Sequence, residues 1–510
     1  VVRRLLASLI AFIAIFVAAA PAGAAVDAST NAGTTRFVKR MTPAFDRYVT
    51  NPSPSTAAWL NKKLWRTEVF TPFFDDKLAT YGNAWFYSDI YAIYTGSDVA
   101  SQHPEWILKD GAGNKLFIPW GCSNGTCPQY AADITNPAYR AWWIGNVTRS
   151  LAKGYKGVWV DDVNLEMRVG SGDGREIAPY SPALGRVMSA ADWRRAMADF
   201  TEQLRAAAPA DKEILHNSIW YAAQGAGRDT DASVQRQIAS ADYINIERGF
   251  NDDGLTGGTG EWSLRALQGF IDRVHGKGKG VIIDAFDASA GGMEYSLANY
   301  LLISNGRDGV GQIDMTPDNW WAGWDTDLGG ALSGRYDWQG VQRRDFQGGM
   351  ALVNEPGAPT RTVQLPSAMT TIDGRSVTSV TISAGRGVVL KGAGSTAQPS
   401  APTTGTAPGS TTGSTGTTTG AGTSGGTTAS TSCTKVRVTY PTLKWNAKKG
   451  QLVRAKGSTT VCISSNLSSR ARRAAVKRAR ESARRTSVRR AKAARRAAVR
   501  AEAARTSARA

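Results

Sequence analysis

The chain has 510 residues, 42% of them hydrophobic and 16 of them Trp, more than one small core needs, which points to one large domain with appendages. Its formal net charge of +19 is carried by the far end: residues 432–510 hold 23 Lys and Arg against two acids, while residues 1–431 hold 38 against 40. A basic nucleic-acid-binding core is thereby excluded, and any polyanion partner belongs to the C-terminal appendage.

At the start of the sequence Arg3 and Arg4 precede an apolar run over 5–20 and the small residues Ala22, Gly23, Ala24 and Ala25. This is the pattern of a secretory signal peptide over 1–25. A membrane anchor is the alternative, but the run is short for a span. No other stretch reaches spanning length, so the mature chain is expected to lack a transmembrane segment and to be secreted or held at a bacterial cell surface.

Residues 36–340 alternate strand-like and helix-like segments. Candidate strands are 67–70, 85–93, 157–161, 213–217, 243–247, 280–285 and 309–314, with one more sought between 116 and 133. The helices between them are well punctuated. One opens with Asn136 as cap and Pro137 in its first turn. Another opens with the capping-box pair Ser189 and Asp192 and repeats Trp193, Met197, Phe200 and Leu204 on one face. A third carries Leu267, Phe270, Ile271 and Val274 before Gly276. About eight such units predict an α/β fold, a closed (β/α)₈ TIM barrel. An open doubly wound sheet is the rival, but no G-x-G-x-x-G follows the first strands.

From 341 to 392 the pattern changes to short alternating strands, read as a small antiparallel β-domain. Residues 393–431 are nearly all Gly, Ser, Thr, Ala and Pro, a linker composition. A small module over 432–466 follows, then a basic tail over 467–510. Like charges at i, i+4 oppose helix in the tail, which is expected to be disordered until it meets an acidic cell-surface polymer rather than a specific nucleic acid. The four cysteines form two local pairs, Cys122 with Cys127 and Cys433 with Cys462, which predicts two disulfides in an exported chain. Their spacing, with His103, His216 and His275 scattered, suggests no metal site, and no cofactor is expected.

The chemistry is concentrated at strand ends. The run Gly157-Val158-Trp159-Val160-Asp161-Asp162-Val163-Asn164 and the run Asp242-Tyr243-Ile244-Asn245-Ile246-Glu247-Arg248-Gly249 each end an apolar strand in carboxylates, which are costly to bury unless used or paired. Alternation puts Asp161 on the side of Trp159 and turns Asp162 away. Asp284 and Asp314 end the next strands and, with Asp162, are candidate supports. Each of these acids could instead serve a structural ion pair or helix cap. Paired carboxylates suit cleavage of a glycosidic bond, one as nucleophile or base and the other as acid. Aromatic faces that could stack on sugar rings are Trp85, Tyr87, Trp106, Trp120, Trp220, Trp320, Trp321 and Trp324, about half of them expected in the core. Asp89, Asn164, His216, Asn217 and Arg248 add polar groups for substrate at similar positions, with a hydrogen-bonded structural role the equal alternative for His216.

The segments Trp85-Phe86-Tyr87-Ser88-Asp89, His103-Pro104-Glu105-Trp106-Ile107-Leu108-Lys109-Asp110, and the two strand-end runs above resemble bacterial chains grouped as hypothetical glycosyl hydrolase family 15. The block Gly348-Gly349-Met350-Ala351-Leu352-Val353-Asn354 is similar to the β-domain that follows the barrel in many such enzymes. The resemblance spans about 36–392 and implies a glycoside hydrolase acting on a carbohydrate. In related retaining barrel glycosidases the nucleophile ends the fourth strand and the acid/base ends the sixth, places that Asp161 and Glu247 take in the strand count. Retention predicts carboxyl groups about 5 to 5.5 Å apart and inversion about 6.5 to 9.5 Å. A non-catalytic carbohydrate-binding surface protein and a transglycosylase are the alternatives.

Overall fold

The computed structural model describes residues 31–40, 42, 45–123, 125–218, 231–312, 315–392, 433–446 and 451–464. The expected signal peptide, linker and basic tail, and the candidates Trp220 and Asp314, lie outside them.

Eight parallel strands close into a barrel in chain order: β1 (Phe37–Lys39), β2 (Arg66–Val69), β3 (Ala84–Asp89), β4 (Gly157–Asp161), β5 (Glu213–Ser218), β6 (Tyr243–Ile246), β7 (Gly280–Asp284) and β8 (Gly309–Gln312). β8 returns to pair with β1 through Val310 opposite Phe37. The helices that cover it are α1 (Pro54–Lys63), α2 (Pro137–Ala152), α3 (Ala190–Ala207), α4 (Ala232–Ser240), α5 (Leu264–His275) and α6 (Ala290–Ile303). The two N-terminal signals read from sequence are formed: the Asn136 side chain accepts from the amides of Ala138 and Tyr139, and Ser189 and Asp192 make both bonds of a capping box.

The expected barrel strand between 116 and 133 is not there. Gln129–Ala131 pairs antiparallel with Ala92–Tyr94 outside the barrel, and the first barrel strand is the three-residue β1. A strand so short carries one inward side chain, Val38, and gives no readable alternation. The count to the fourth and sixth strands comes out the same, because the missing strand precedes them in either case.

Alternation along the strands divides the core in two. Val69, Phe86, Val158, Val160, Ile214, Ile244, Ile246, Val281, Ile283 and Val310 face the helices in one large cluster. Val38, Trp85, Trp159, Leu215, Tyr243 and Ile282 fill the barrel interior as another. At the N-terminal end of the barrel Arg66 makes a two-pronged pair with Glu213 (2.8 and 2.7 Å), and the Trp85 indole donates to the same carboxylate at 2.7 Å. Those groups are far from the strand ends that carry chemistry and are read as structural.

A six-stranded antiparallel sheet follows, made of Tyr336–Trp338, Val341–Phe346, Gly349–Asn354, Arg361–Thr371, Ser376–Ile382 and Arg386–Lys391. It packs on α6, where Arg344 donates to the carbonyls of Leu301 (2.9 Å) and Ser304 (2.7 Å), capping the end of that helix. A separate unit contains one hairpin, Cys433–Asn446 paired with Gln451–Ser464. Its register sets Cys462 opposite Lys435 rather than Cys433, and the side chains of both cysteines lie outside the described residues. The other expected disulfide, Cys122–Cys127, is formed. Among the described residues no helix is long and apolar enough to cross a membrane.

Candidate active site

Because inward positions recur every second residue, several strands deliver a polar side chain to the C-terminal mouth of the barrel. β4 brings Asp161, β5 Asn217, β6 Asn245 and then Glu247, and β7 Asp284. The sequence did not mark two further groups that the structure places among them, Arg40 just past β1 and Glu68 on β2. A signal for Glu68 existed: Arg66 and Glu68 are charged residues two apart inside a strand, which requires partners within the barrel.

Asp161 is half-buried and accepts hydrogen bonds from three neutral donors. Tyr87 donates its hydroxyl to Oδ2 at 2.6 Å, the Asn217 amide donates to Oδ1 at 2.6 Å, and the backbone N–H of Asp162 donates to the same Oδ1 at 2.8 Å. The last bond depends on Asp162 taking a left-handed backbone, with φ of 58°. Three donors fix the plane of the Asp161 carboxylate, and no cation among these contacts neutralises it.

Asp162 turns away from Asp161, as expected, and shares a hydrogen bond with the Asp89 carboxyl. Burial, followed by the charges of Asp162 and Asp161, holds Asp89 well above the ordinary carboxylate range. Burial and Asp161 push Asp162 up to about 6, against the opposing effects of Asn164 and Arg168. The pair therefore keeps a proton to higher pH than an isolated carboxyl group would. Asn164 is buried, with its amide donating to Asp162 at 2.7 Å and to the Tyr91 hydroxyl at 3.3 Å. Its place is behind Asp162 rather than on a substrate surface.

On the far side of the mouth Arg40 bridges two buried acids, Glu68 at 2.9 Å and Asp284 at 2.8 Å, with its guanidinium 5.1 Å from the Trp159 ring centre. Burial raises Glu68 to about 7, in spite of Arg40 and with help from Asp161 and Asp284. Burial likewise raises Asp284 to about 6, Arg40 opposing and Glu247 adding to it. Asp284 has room because its register partner on β8 is Gly311, where a Cβ would stand 2.5 Å from Asp284 Oδ1. Glu247, directly after β6, is half-buried and Arg248 is exposed in a left-handed conformation.

The aromatic expectations divide. Tyr87 is at the mouth, and Trp120 is 67% exposed in the loop closed by Cys122–Cys127. Trp85, Trp106 and Trp324 are core residues. Trp320 packs edge-on to Phe37 and Trp59, and with Trp321 and Trp324 lines a cavity of about 250 Å³ that also includes Met293 and Gln312, behind the β8 wall. Two rim aromatics that sequence reading passed over are Phe70, just past β2, 47% exposed with its ring 5.3 Å from that of Tyr87, and Phe286, 44% exposed just past β7. His216 does not reach the mouth. It sits on an outward position of β5, 1% exposed, lining a small cavity with Val234, Gln237, Ile238 and Phe270, and burial lowers it to about 3. A neutral imidazole behind the barrel wall contacts no substrate in the mouth. Among the described residues no group of three or more His, Cys, Asp and Glu is placed to hold a metal ion.

Residues 73–350 match the profile of a family described as Hypothetical glycosyl hydrolase family 15. Among curated proteins nothing matches. Solved structures similar to the chain include the glycoside hydrolase domain of PelA from Pseudomonas aeruginosa (14% identity, 56% of this chain and 94% of that one, TM-score 0.33). Others are an alpha-galactosidase from Thermus thermophilus (15%, 57% and 60%, 0.34) and the maltogenic alpha-amylase AmyB from Thermotoga neapolitana (11%, 71% and 99%, 0.42).

Proposed function

The chain belongs to hypothetical glycosyl hydrolase family 15 and is a glycoside hydrolase, and on that premise we propose that it cleaves an oligo- or polysaccharide with retention, Asp161 acting as nucleophile and Glu247 as acid/base. The observation that carries this reading is the setting of Asp161: an inward carboxylate at the end of β4, oriented by three neutral donors. A paired cation would neutralise the charge with which the nucleophile attacks, and here two of the three donors sit on Oδ1, which leaves a lone pair on Oδ2 beside Tyr87. Asp161 instead relies on Tyr87, Asn217 and its own chain for orientation, so one face is left for an anomeric carbon. Glu247 extends from β6, two strands away, with a solvent-reaching position suited to passing a proton to a leaving oxygen and then taking one from water.

The test is the anomeric configuration of the first-formed product, followed by proton NMR on a substrate identified from a polysaccharide panel. Retention is expected, and an inverted product would end the nucleophile role. Glu247→Gln should cut turnover of a substrate with a poor leaving group by about 10³-fold, yet spare an activated aryl glycoside in its first step, because an activated leaving group needs little protonation. Equal loss on both substrates would remove Glu247 from the acid role. Transglycosylation would use the same covalent intermediate, and added acceptor sugars would reveal it as longer products.

For location, we propose secretion followed by retention on an acidic surface polymer through the basic tail. The support is the charge division in the sequence, with 23 Lys and Arg against two acids after residue 431. Full-length protein is expected to bind acidic cell-wall polymer and to be released by raised salt, while a chain ending at Gly392 stays unbound with unchanged hydrolysis. Retention of the shortened chain would place the attachment elsewhere.

A further inference from the structure

A line of hydrogen bonds connects Asp161 to the far side of the mouth. Asn217 donates its amide to Asp161 and receives on Oδ1 the amide of Asn245 at 2.7 Å. Asn245 turns its NH₂ toward the Asp284 carboxylate as well, at 3.4 Å, and Arg40 holds that carboxylate at 2.8 Å. Asn217 and Asn245 are register partners on β5 and β6, and Asn245 is fully buried.

We propose that Asn245 is a positioning residue for the nucleophile, setting which end of the Asn217 amide faces Asp161. The claim rests on Asp161 being the nucleophile. A primary amide presents a donor on one side and an acceptor on the other, so in a chain of amides the direction is decided at the ends. Here both ends are carboxylates. Asp284, fixed by Arg40, accepts, so Asn245 must face it with NH₂. The same NH₂ then reaches Asn217 Oδ1, and the Asn217 NH₂ is left for Asp161. Turning Asn245 over would bring oxygen against oxygen at both of its contacts, and turning Asn217 over would set oxygen against oxygen at Asp161 and NH₂ against NH₂ at Asn245. The direction has a cost visible in the structure: among the described residues Asn245 Oδ1 is buried with no hydrogen-bond partner. Burying a carbonyl oxygen without a donor is unfavourable, and both Asn217 and Asp161 depend on the orientation that orphans it.

The test compares Asn245→Leu, Asn217→Ala and the double variant in the full chain, assayed beside Asp161→Asn on the same confirmed substrate. Asn245→Leu keeps the side-chain shape and removes both donors. Each single variant should lose kcat on the order of 10²-fold, the usual effect of a nucleophile displaced by about 1 Å, with KM changed less than about three-fold. The double variant should be no worse than the worse single, since the two act through one bond to Asp161. Asn245→Asp gives a second readout should Asn245→Leu fail to fold. As a carboxylate it would accept from Asn217 and turn that amide over, and its activity relative to the parent should rise as pH falls and the new acid becomes a donor. Multiplying losses in the double variant, or Asn245 variants with parental kcat while Asp161→Asn is inactive, would overturn the positioning role. Turnover by Asp161→Asn would instead overturn the nucleophile reading beneath it.

Discussion

Asp161→Asn is expected to lower kcat by about 10⁴-fold, near 5 kcal/mol of transition-state stabilisation, with the fold intact. Intactness follows from the contacts. Asn at this position can keep its oxygen toward the Asn217 amide and the Asp162 N–H, which now sit 2.6 and 2.8 Å from Asp161 Oδ1. Its NH₂ then faces Tyr87, whose hydroxyl can rotate its proton and accept instead of donating. No buried donor is stranded, so thermal unfolding should shift little. Asp161→Ala does strand Asn217 and Tyr87, but it opens a space for a small anion. Azide added to that variant should restore turnover on an activated aryl glycoside and give a glycosyl azide of the opposite anomeric configuration, as attack on the face Asp161 vacated requires. If Asp161→Asn kept turnover within about ten-fold of the parent on that substrate, another group would be the nucleophile and the mouth would need a new reading.

What could be read in the sequence followed the length and regularity of each element. β4 is a run of apolar residues ending in Asp161, and its inward alternation with Trp159 gave the orientation of Asp161 and Asp162 correctly. The helices with Asn136 and Ser189 at their starts were legible because a cap is a local device. β1 was not, since its three residues offer no period and its next residue, Arg40, carries its meaning only through Glu68 and Asp284, 28 and 244 residues away. His216 stays open between substrate and structure in the sequence for a related reason: parity sends it outward while its neighbour Asn217 goes in, and the two cannot be told apart without the register of β5. Asn245 stands in the second strand-end run without a legible role, because an amide's role is set by its neighbours in space.

The same long-range cluster should produce the largest stability effect. Arg40→Met keeps a long side chain over Trp159 but leaves Glu68 and Asp284 buried with no cation between them. Breaking a buried pair from one side costs about 3 to 5 kcal/mol, and that is the loss expected at pH 8. The loss should shrink on acidification. Both acids are raised in the folded state, Glu68 to about 7 and Asp284 to about 6, so between the unfolded carboxylate range and those values the folded protein binds more protons than the unfolded chain. Their contribution to stability is therefore present at low pH and is lost as pH rises toward 7, the reverse of a carboxylate lowered by a salt bridge. Without Arg40 the two acids should hold their protons to still higher pH, and at pH 5 the variant should fall short of the parent by little more than the cation–π contact with Trp159, about 1 kcal/mol. Urea unfolding midpoints of the parent and Arg40→Met at pH 5 and pH 8, with Arg40→Met/Glu68→Gln/Asp284→Asn as control, measure this directly. The triple variant should regain most of the pH 8 loss, because neutral amides can be buried there without a counter-ion. A penalty for Arg40→Met that is equal at the two pH values would mean that Arg40 stabilises the barrel by packing alone, and that Glu68 and Asp284 do not carry the buried charge that the mouth's electrostatics require.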